Sequence, residues 1–225
     1  MATPGGIVTF TKVLVSAGGT REPWDEVRFL GNRSTGRQGC EIARAAVQAG
    51  FEVTLVAANV EAALLPPDVT VKSVETAVEM LEVMQEMAPH ADVIIMCAAV
   101  ADFRPKPVAG KLSRHDNQIP TLELERTPDI LQHLLAERRP GQVIIGFGAL
   151  TGTEAEVRAK GAAKARHKQA DLLAVNQVGA GKGFATPTNT LFFFDRDGQE
   201  IAVTSGTKFA VGQYLLQLAD KISQN

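Results

Sequence analysis

Short apolar runs alternate with longer amphipathic segments along most of this 225-residue chain, and the alternation restricts the folds it can adopt. Several runs are apolar throughout, which is typical of parallel strands that helices cover on both faces. We interpret as strands the segments 12–17, 52–58, 69–74, 92–98, 142–147 and 171–175. We interpret as helices the segments near 37–49, 75–87, 129–137, 153–167 and 207–223. The pattern predicts an α/β fold with a Rossmann-like, doubly wound and mainly parallel sheet.

The pattern changes near the end of the chain. Apolar runs at 190–195 and 200–204 flank Asp197 and Gly198, and Asp-Gly is a strong signal for a hairpin turn. We therefore expect a C-terminal antiparallel hairpin that closes the sheet. At about 150 residues per domain, the length favours a single domain over residues 1–225, with residues 1–11 as a flexible N-terminal extension.

Composition and charge exclude several classes of protein. Hydrophobic residues make up 45% of the chain and charged residues 21%, as in ordinary globular proteins. The net charge is −2 and no basic block is present, which argues against nucleic acid as a partner. No run of about 18 apolar residues predicts a membrane span, and the first residues lack the pattern of a secretory signal. We therefore expect no membrane association and a cytoplasmic location.

The cysteines and histidines indicate no redox or metal chemistry. Cys40 and Cys97 lie within apolar patterns and are expected to be small buried hydrophobic residues. The four histidines lack metal-ligand spacing, and no Gly-x-Ser-x-Gly segment occurs. Metal-dependent hydrolysis and serine hydrolase chemistry are therefore disfavoured.

Two connections, at 18–38 and 99–120, are too long to be turns, and both follow predicted strands, where α/β sheets bind ligands. In the first, Gly18 and Gly19 end the strand, but the dinucleotide fingerprint GxGxxG is absent. The helix begins only after the segment NRSTGRQG at 32–39, and a helix N-terminus attracts anions. Phosphate is the expected ligand there. The alternative is a capped helix that follows an ordinary loop.

The second connection and a later helix carry charged candidates. Asp102 could hold a divalent cation on a triphosphate, or it could cap a turn. Lys111 lies in the middle of the loop, where a lysine can clamp phosphates, although most loop lysines are only solvated. Lys164 and Lys168 share a face of their helix, whose basic residues are also explained by a solvated surface and the helix dipole.

Four segments together resemble the phosphopantothenate-cysteine ligase family (phosphopantothenoylcysteine synthetases), the ligase half of bacterial bifunctional coenzyme A biosynthesis proteins. They are SAGGTREP at 16–23, VRFLGNRSTG at 27–36, AAVADFRP at 98–105 and TPDIL at 127–131. Further matches extend the resemblance over almost the whole chain, at Gly146, Phe147, Lys164, Lys168, Asp171 and Asn176. The family's usual flavin-dependent decarboxylase needs a domain of comparable length, so the resemblance implies a decarboxylase as a possible separate partner.

The resemblance implies a reaction in two steps. The carboxylate of phosphopantothenate attacks the α-phosphate of CTP and releases pyrophosphate, and the amine of L-cysteine then displaces CMP from the acyl-cytidylate. Mg²⁺ and lysines would neutralise the triphosphate. The resemblance also implies a homodimer with sites near the subunit boundary, and we expect the hairpin at 190–204 to be a dimer element.

The resemblance also assigns roles to residues. Asn32 would donate to the carbonyl oxygen of the acyl-cytidylate, and Lys111 would stabilise charge around the α-phosphate, so these two are the expected catalytic residues. Asp102 would hold the metal. The residues expected to bind the nucleotide are Ser16, Gly18, Gly19, Ser34, Ala99, Asp102, Phe103, Lys111, Phe147, Lys164 and Lys168.

Three positions depart from the family pattern. Ser113 stands where the family commonly has a second lysine, Leu150 where it has glutamate, and Gln177 where it has aspartate. Two acidic positions are thus neutral, which leaves both CTP and ATP open as the nucleotide. Two other functions also stay open: a dinucleotide-binding oxidoreductase-like domain, supported only by the α/β pattern, and a non-catalytic nucleotide-binding homologue, favoured by the acidic losses.

Overall fold

The computed structural model describes residues 10–113, 121–179 and 186–224. All the strands and helices predicted from the sequence form, with bounds that differ by a few residues. The strands are β1 (Lys12–Gly18), β2 (Arg21–Pro23), β3 (Phe29–Gly31), β4 (Glu52–Ala58), β5 (Thr70–Val74), β6 (Val93–Met96), β7 (Phe103–Pro105), β8 (Leu124–Arg126), β9 (Val143–Leu150), β10 (Leu172–Gln177), β11 (Thr188–Phe194) and β12 (Glu200–Thr207). The helices are α1 (Arg37–Gln48), α2 (Ala77–Met87), α3 (Ile130–Ala136), α4 (Glu154–Lys168) and α5 (Lys208–Ser223).

Eight of the strands form one sheet in the order β12-β11-β10-β9-β6-β1-β4-β5. The strands from β10 to β5 are parallel, and the hairpin of β11 and β12 adds two antiparallel strands at one edge. The chain runs from β1 through β4 to β5, then crosses to β6 on the other side of β1. The order therefore reverses between β1 and β6, which is where open α/β sheets bind ligands. The Rossmann-like fold with a C-terminal hairpin is confirmed.

Helices cover both faces of the central strands of the sheet, which explains why several of these strands are apolar throughout. Val13 and Val15 of β1 face the core that contains α1 and α5, whereas Leu14 faces the core that contains α2 and α3. Helix α4 packs on β10 and β11 in a third cluster. Cys40 is buried in the first core, as predicted, whereas Cys97 is half-buried against it; burial raises the pKa of both thiols, that of Cys40 to about 11.

The two long connections contain short antiparallel pairs that were not predicted. Strand β2 pairs with β3, and β7 pairs with β8. Each strand has three residues, which is too short for an alternating pattern to be recognised. These pairs and their flanks carry most of the large exposed apolar side chains in the described part of the chain: Val27, Phe29, Leu30, Phe103, Val108, Leu122 and Leu124.

Phe10 and Thr11, the last two residues of the expected N-terminal extension, pack against the rest of the protein. The buried ring of Phe10 lies 4.7 Å from that of Phe51, centroid to centroid. The backbone N–H of Thr11 donates to Asp92 Oδ2 at 2.9 Å. Residues 1–9 of the expected extension lie outside the described residues. None of the described helices has both the length and the apolar character needed to cross a membrane.

Candidate nucleotide site

The candidate site lies where β1 and β6 end, at the reversal of strand order. Gly19 and Ala99 form a parallel bridge beyond the two strands, and the N–H of Ala99 donates to Gly18 O at 2.9 Å. The hydroxyl of Ser16 accepts from the N–H of Ala98 at 3.1 Å. The loops that follow β1 and β6 are thus joined by their backbones at this edge of the sheet. We call the joined residues Gly18, Gly19, Ala98 and Ala99 the floor of the site.

Two asparagine amides hold this floor from opposite sides. Asn32 Nδ2 donates to Ala99 O at 3.0 Å. Asn59, which follows β4, donates through Nδ2 to Gly19 O at 3.0 Å and to Glu75 O at 3.2 Å. Sequence reasoning missed Asn59, although an asparagine directly after a predicted strand was an available signal. The predicted residue Asn32 therefore lies at the floor and contacts the predicted residue Ala99.

The N-terminus of α1 points to the same edge of the sheet. Its N-cap, Gly36, has φ +77° and no capping side-chain hydrogen bond, and the first turn carries no acidic residue. The first N–H groups of a helix have no partner within the helix, and they attract anions. The N–H of Gly36 itself donates to Ser34 Oγ at 3.3 Å. The loop that precedes α1 thus ends at a helix N-terminus that no carboxylate in its first turn neutralises.

Small residues allow α1 to approach β1 closely. A Cβ added to Gly36 would lie 2.9 Å from the N atom of Gly18, and one added to Gly39 would lie 2.6 Å from Ala17 Cβ. A Cβ added to Gly18 would lie 1.8 Å from Ala58 O. These three glycines are therefore required by backbone packing, which also places the α1 N-terminus beside the floor.

Two lysines approach the site from α4 and α5. Lys164 extends over β9, since a Cβ added to Gly148 would lie 3.5 Å from Lys164 Cδ. Burial lowers the pKa of Lys164, with a contribution from Lys168, while Asp102 and Asp129 oppose this effect. Lys208, the second of these lysines, was not selected from the sequence. It is only 4% exposed, and burial and Arg37 lower its pKa.

Lys168 is engaged elsewhere in this structure. Its ammonium forms an ion pair with the carboxylate of Asp129, and Asp129 Oδ1 caps α3 by accepting from Gln132 N at 3.3 Å. Burial alone would raise the pKa of Asp129, but Lys168 and the cap leave it below its ordinary value. Lys168 would have to leave this pair to reach a nucleotide.

The remaining predicted residues lie around the same edge. Asp102 and Phe103 are exposed at the start of β7, and Asp102 O accepts from Thr127 N at 3.2 Å. Phe147 is half-buried on β9, one residue beyond the level at which β6 ends beside Gly146. Lys111 is exposed, in a loop that hydrogen bonds to the β2–β3 turn. The described residues contain no group of three metal-binding side chains around Asp102 or elsewhere.

Comparison with known proteins finds consistent similarity over nearly the whole chain. The profile of the DNA/pantothenate metabolism flavoprotein C-terminal domain family matches residues 8–223. The coenzyme A biosynthesis bifunctional protein CoaBC of Mycobacterium tuberculosis is 44% identical over 204 residues, 88% of this chain and 49% of that protein. CoaBC of Bacillus subtilis is 38% identical over 208 residues, 91% of this chain and 50% of that protein. The chain thus spans about half the length of these relatives.

A solved structure has the same fold. The C-terminal domain of a coenzyme A biosynthesis bifunctional protein CoaBC superposes with a TM-score of 0.73 at 36% identity. The match covers 96% of this chain and 98% of that domain. The similarity therefore extends from the sequence to the complete architecture.

Proposed function

The chain belongs to the DNA/pantothenate metabolism flavoprotein C-terminal domain family, and from this premise we propose that it ligates phosphopantothenate to L-cysteine with CTP as co-substrate. In the first step, a carboxylate oxygen of phosphopantothenate bonds to the α-phosphorus of CTP, and pyrophosphate leaves. In the second step, the cysteine amine bonds to the acyl carbon, loses a proton, and CMP leaves. The product is phosphopantothenoylcysteine, an intermediate of coenzyme A biosynthesis.

The observation that carries this proposal is the floor at the β1–β6 reversal, with the α1 N-terminus beside it. Gly18, Gly19 and Ala99 join the two loops there through their backbones, and no large side chain projects from these three positions toward a triphosphate. The unneutralised first turn of α1 provides N–H donors for phosphate oxygens. Ser16 and Ser34 keep the two loop segments in place through their hydroxyls.

The polar side chains around the floor suit the two steps. In our proposal, Lys111 and Lys164 stabilise negative charge on the triphosphate, and Lys168 joins them after it leaves Asp129. Asn32 uses one amide N–H for Ala99 O, and its second N–H is the donor for the acyl oxygen when cysteine attacks. Phe103 and Phe147 supply apolar surfaces near the nucleotide.

Mg²⁺ fits this site only as a cation carried by the nucleotide. Asp102 supplies one carboxylate, and no three-residue ligand group exists among the described residues, whereas Mg²⁺ is often held by one or two carboxylates together with substrate phosphates. When bound, Mg²⁺ would neutralise the triphosphate charge so that a carboxylate can approach. In this proposal Asp102 holds the ion, and the lysines provide the remaining positive charge.

We further propose a cytoplasmic homodimer that works with a flavin-dependent decarboxylase. The relatives are bifunctional proteins of about twice the matched length, so the decarboxylase could be fused or separate. The exposed apolar side chains favour β2–β3 and β7–β8 as the dimer contact over the C-terminal hairpin, where Ile201 and Val203 are the large exposed apolar side chains.

A direct assay tests the proposed activity. The protein is incubated with phosphopantothenate, L-cysteine, Mg²⁺ and either CTP or ATP, while pyrophosphate and the mass of the amide product are followed. We expect equimolar pyrophosphate and phosphopantothenoylcysteine, with CTP preferred. Binding of CTP without pyrophosphate release would indicate a non-catalytic homologue, and binding of NAD(P) alone would indicate an oxidoreductase-like domain; either result overturns the proposal.

A further inference from the structure

A buried carboxylate outside the nucleotide floor organises the turn between β2 and β3. The side chain of Asp25 has no exposed surface. Its Oδ1 accepts from the backbone N–H groups of Val27 at 2.8 Å and Arg28 at 2.7 Å, and its Oδ2 forms an ion pair with the Arg28 guanidinium. Burial alone would raise the pKa of Asp25, but these hydrogen bonds and that from Leu112 hold it below its ordinary value. Asp25 is therefore ionised at neutral pH.

The same pair holds a distant loop. Asp25 Oδ2 also accepts from the N–H of Leu112 at 3.2 Å, and both terminal nitrogens of Arg28 donate to Leu112 O at 3.3 Å. Both backbone polar groups of Leu112 are thus bound by one ion pair more than 80 positions earlier in the chain. A second bond, from Val108 N to Trp24 O at 2.9 Å, joins the same turn to the same loop.

These contacts lie on both sides of Lys111. The loop is attached at Val108 and at Leu112, so the backbone of Lys111 is fixed between two points although its side chain is exposed. Charge-assisted hydrogen bonds are about twice as strong as neutral ones, so Asp25 and Arg28 provide the stronger attachment. A lysine on a fixed backbone needs only its side chain to be ordered when it meets a phosphate, which lowers the entropy cost of the contact.

We propose that Asp25 is a positioning residue that acts through Lys111: its carboxylate fixes the Lys111–Leu112 peptide so that the ammonium is held at the triphosphate. The proposal rests on the function proposed above, because it assigns Lys111 to the nucleotide. It assigns Asp25 no contact with substrate.

The first test measures how readily trypsin cleaves the loop and does not depend on ligase activity. Trypsin cleaves after lysine, and the Lys111–Leu112 peptide contains the N–H that Asp25 binds. We expect Asp25→Asn to be cut at this bond several times faster than the unmodified protein, as followed by mass spectrometry. Glu123→Gln is the matched control, because it removes the exposed pair between Glu123 and Lys106 in the same region without affecting Leu112. Equal cleavage rates in Asp25→Asn and Glu123→Gln would overturn the proposal.

The second test is a double-mutant cycle in the ligase assay. We expect Asp25→Asn to lower kcat about tenfold, because a small displacement of a catalytic group is costly, with little change in the KM of cysteine. In a Lys111→Ala background the same substitution should change kcat less than twofold, because the residue through which it acts is absent. If the two substitutions instead lower kcat by independent factors that multiply in the double variant, Asp25 has only a structural role.

The folding of the Asp25→Asn variant is checked separately. The fluorescence of Trp24, the chain's one tryptophan, reports on the turn itself. Should Asp25→Asn not fold, Asp25→Ser replaces it, since a serine hydroxyl can still accept from the turn N–H groups but is too short to reach Leu112.

The proposed function and the positioning role are refuted by different results. An unmodified protein that has no ligase activity refutes the proposed function. An active protein whose Asp25→Asn variant has the same kcat and the same cleavage rate refutes only the positioning role.

Discussion

A single substitution at Asn32 can separate its proposed role in the second step of the reaction from the first step. Its amide holds the floor through Ala99 O and, in our proposal, offers its second N–H to the acyl oxygen only in the second step. We therefore expect Asn32→Ala to retain release of pyrophosphate within about threefold of the unmodified rate. Amide formation should fall about 10²-fold, the usual cost of removing one donor to an oxyanion. Quenched-flow measurement of both products gives the two rates.

Asn59→Ala is the matched control for this substitution. Asn59 holds the opposite side of the floor, through Gly19 O, and has no proposed role in either step. Its removal should therefore slow both steps by a similar factor. An Asn32→Ala variant that also slows both steps equally would assign Asn32 to the floor alone.

Lys164 should give nucleotide binding a distinctive pH dependence. Its pKa is lowered, chiefly by burial, so it loses its proton at a lower pH than an ordinary lysine. The charged form attracts phosphate, so the affinity for CTP should fall as the pH rises through this lowered pKa. Arginine stays charged throughout this range, and Lys164→Arg should therefore move the alkaline loss of affinity to higher pH. Calorimetric titration with CTP between pH 7 and 10 measures the change.

The control for Lys164→Arg is the same substitution at Lys160, an exposed residue whose ammonium donates to Thr151 O at 3.0 Å. Lys160→Arg should leave the pH profile unchanged. If the profile of Lys164→Arg also coincides with that of the unmodified protein, Lys164 does not contribute a titrating charge to the site.

Residues of the site were predictable where chain order alone brings them together. Asn32 and Ala99 follow β1 and β6, and parallel strands end at one edge of a sheet, so their neighbourhood follows from the topology. Lys208 was not predictable, because its charged neighbour Arg37 is 171 positions earlier in the chain and its burial depends on how α5 packs beside α1. The ion pair between Lys168 and Asp129 likewise joins two separate helix ends.

At the scale of elements, Asp92 ties the start of β1 to its neighbour strands. Its Oδ2 accepts from the N–H groups of Thr11 and Lys12 at 2.9 and 3.0 Å, and its Oδ1 accepts from Arg139 at 2.7 Å. We expect Asp92→Asn to lower the free energy of unfolding by about 1–2 kcal/mol at pH 7, as for hydrogen bonds to a charged group that is partly exposed. Urea unfolding measures the difference.

The effect of Asp92 should depend on pH with a defined sign. These hydrogen bonds outweigh burial and lower the pKa of Asp92 below 3.8, so its charged form stabilises the folded state. That stabilisation is complete above the unfolded pKa and is lost as the pH falls through the folded one. The difference between Asp92→Asn and the unmodified protein should therefore shrink as the pH falls below about 5. Glu61→Gln, at an exposed residue, is the control, and a difference that grows in acid would contradict the assignment.

The long elements were predictable and the short ones were not. The central strands of the large sheet are buried on both faces, and α1 has an apolar stripe followed by Gly50, so each leaves a pattern in the sequence. Strands β2, β3, β7 and β8 have three residues each and gain their structure from the turns and loops that they contact. Asp25, in the turn between β2 and β3, illustrates this, because its partner Leu112 is 87 positions away in the sequence.

At the scale of the whole molecule, two apolar surfaces make different predictions for self-association. Leu124 lies on β8 among the exposed apolar residues of the small strand pairs, whereas Val203 lies on the edge strand β12. We expect the unmodified protein to be a dimer by light scattering, Leu124→Glu to be largely monomeric, and Val203→Glu to remain dimeric. A charge placed in a buried contact lacks a partner, which is the physical reason for the dissociation. The reverse result would assign the dimer to the C-terminal hairpin.

The floor at the β1–β6 reversal is made of main chain, joined by the bridge between Gly19 and Ala99. The shape of this surface therefore depends on the path of the backbone. A larger residue at Gly18 would displace it, because a Cβ there would lie 1.8 Å from Ala58 O. Insertion of a single residue between Gly18 and Thr20 would shift the register of both loops. The site is therefore sensitive both to an added residue and to a side chain at Gly18.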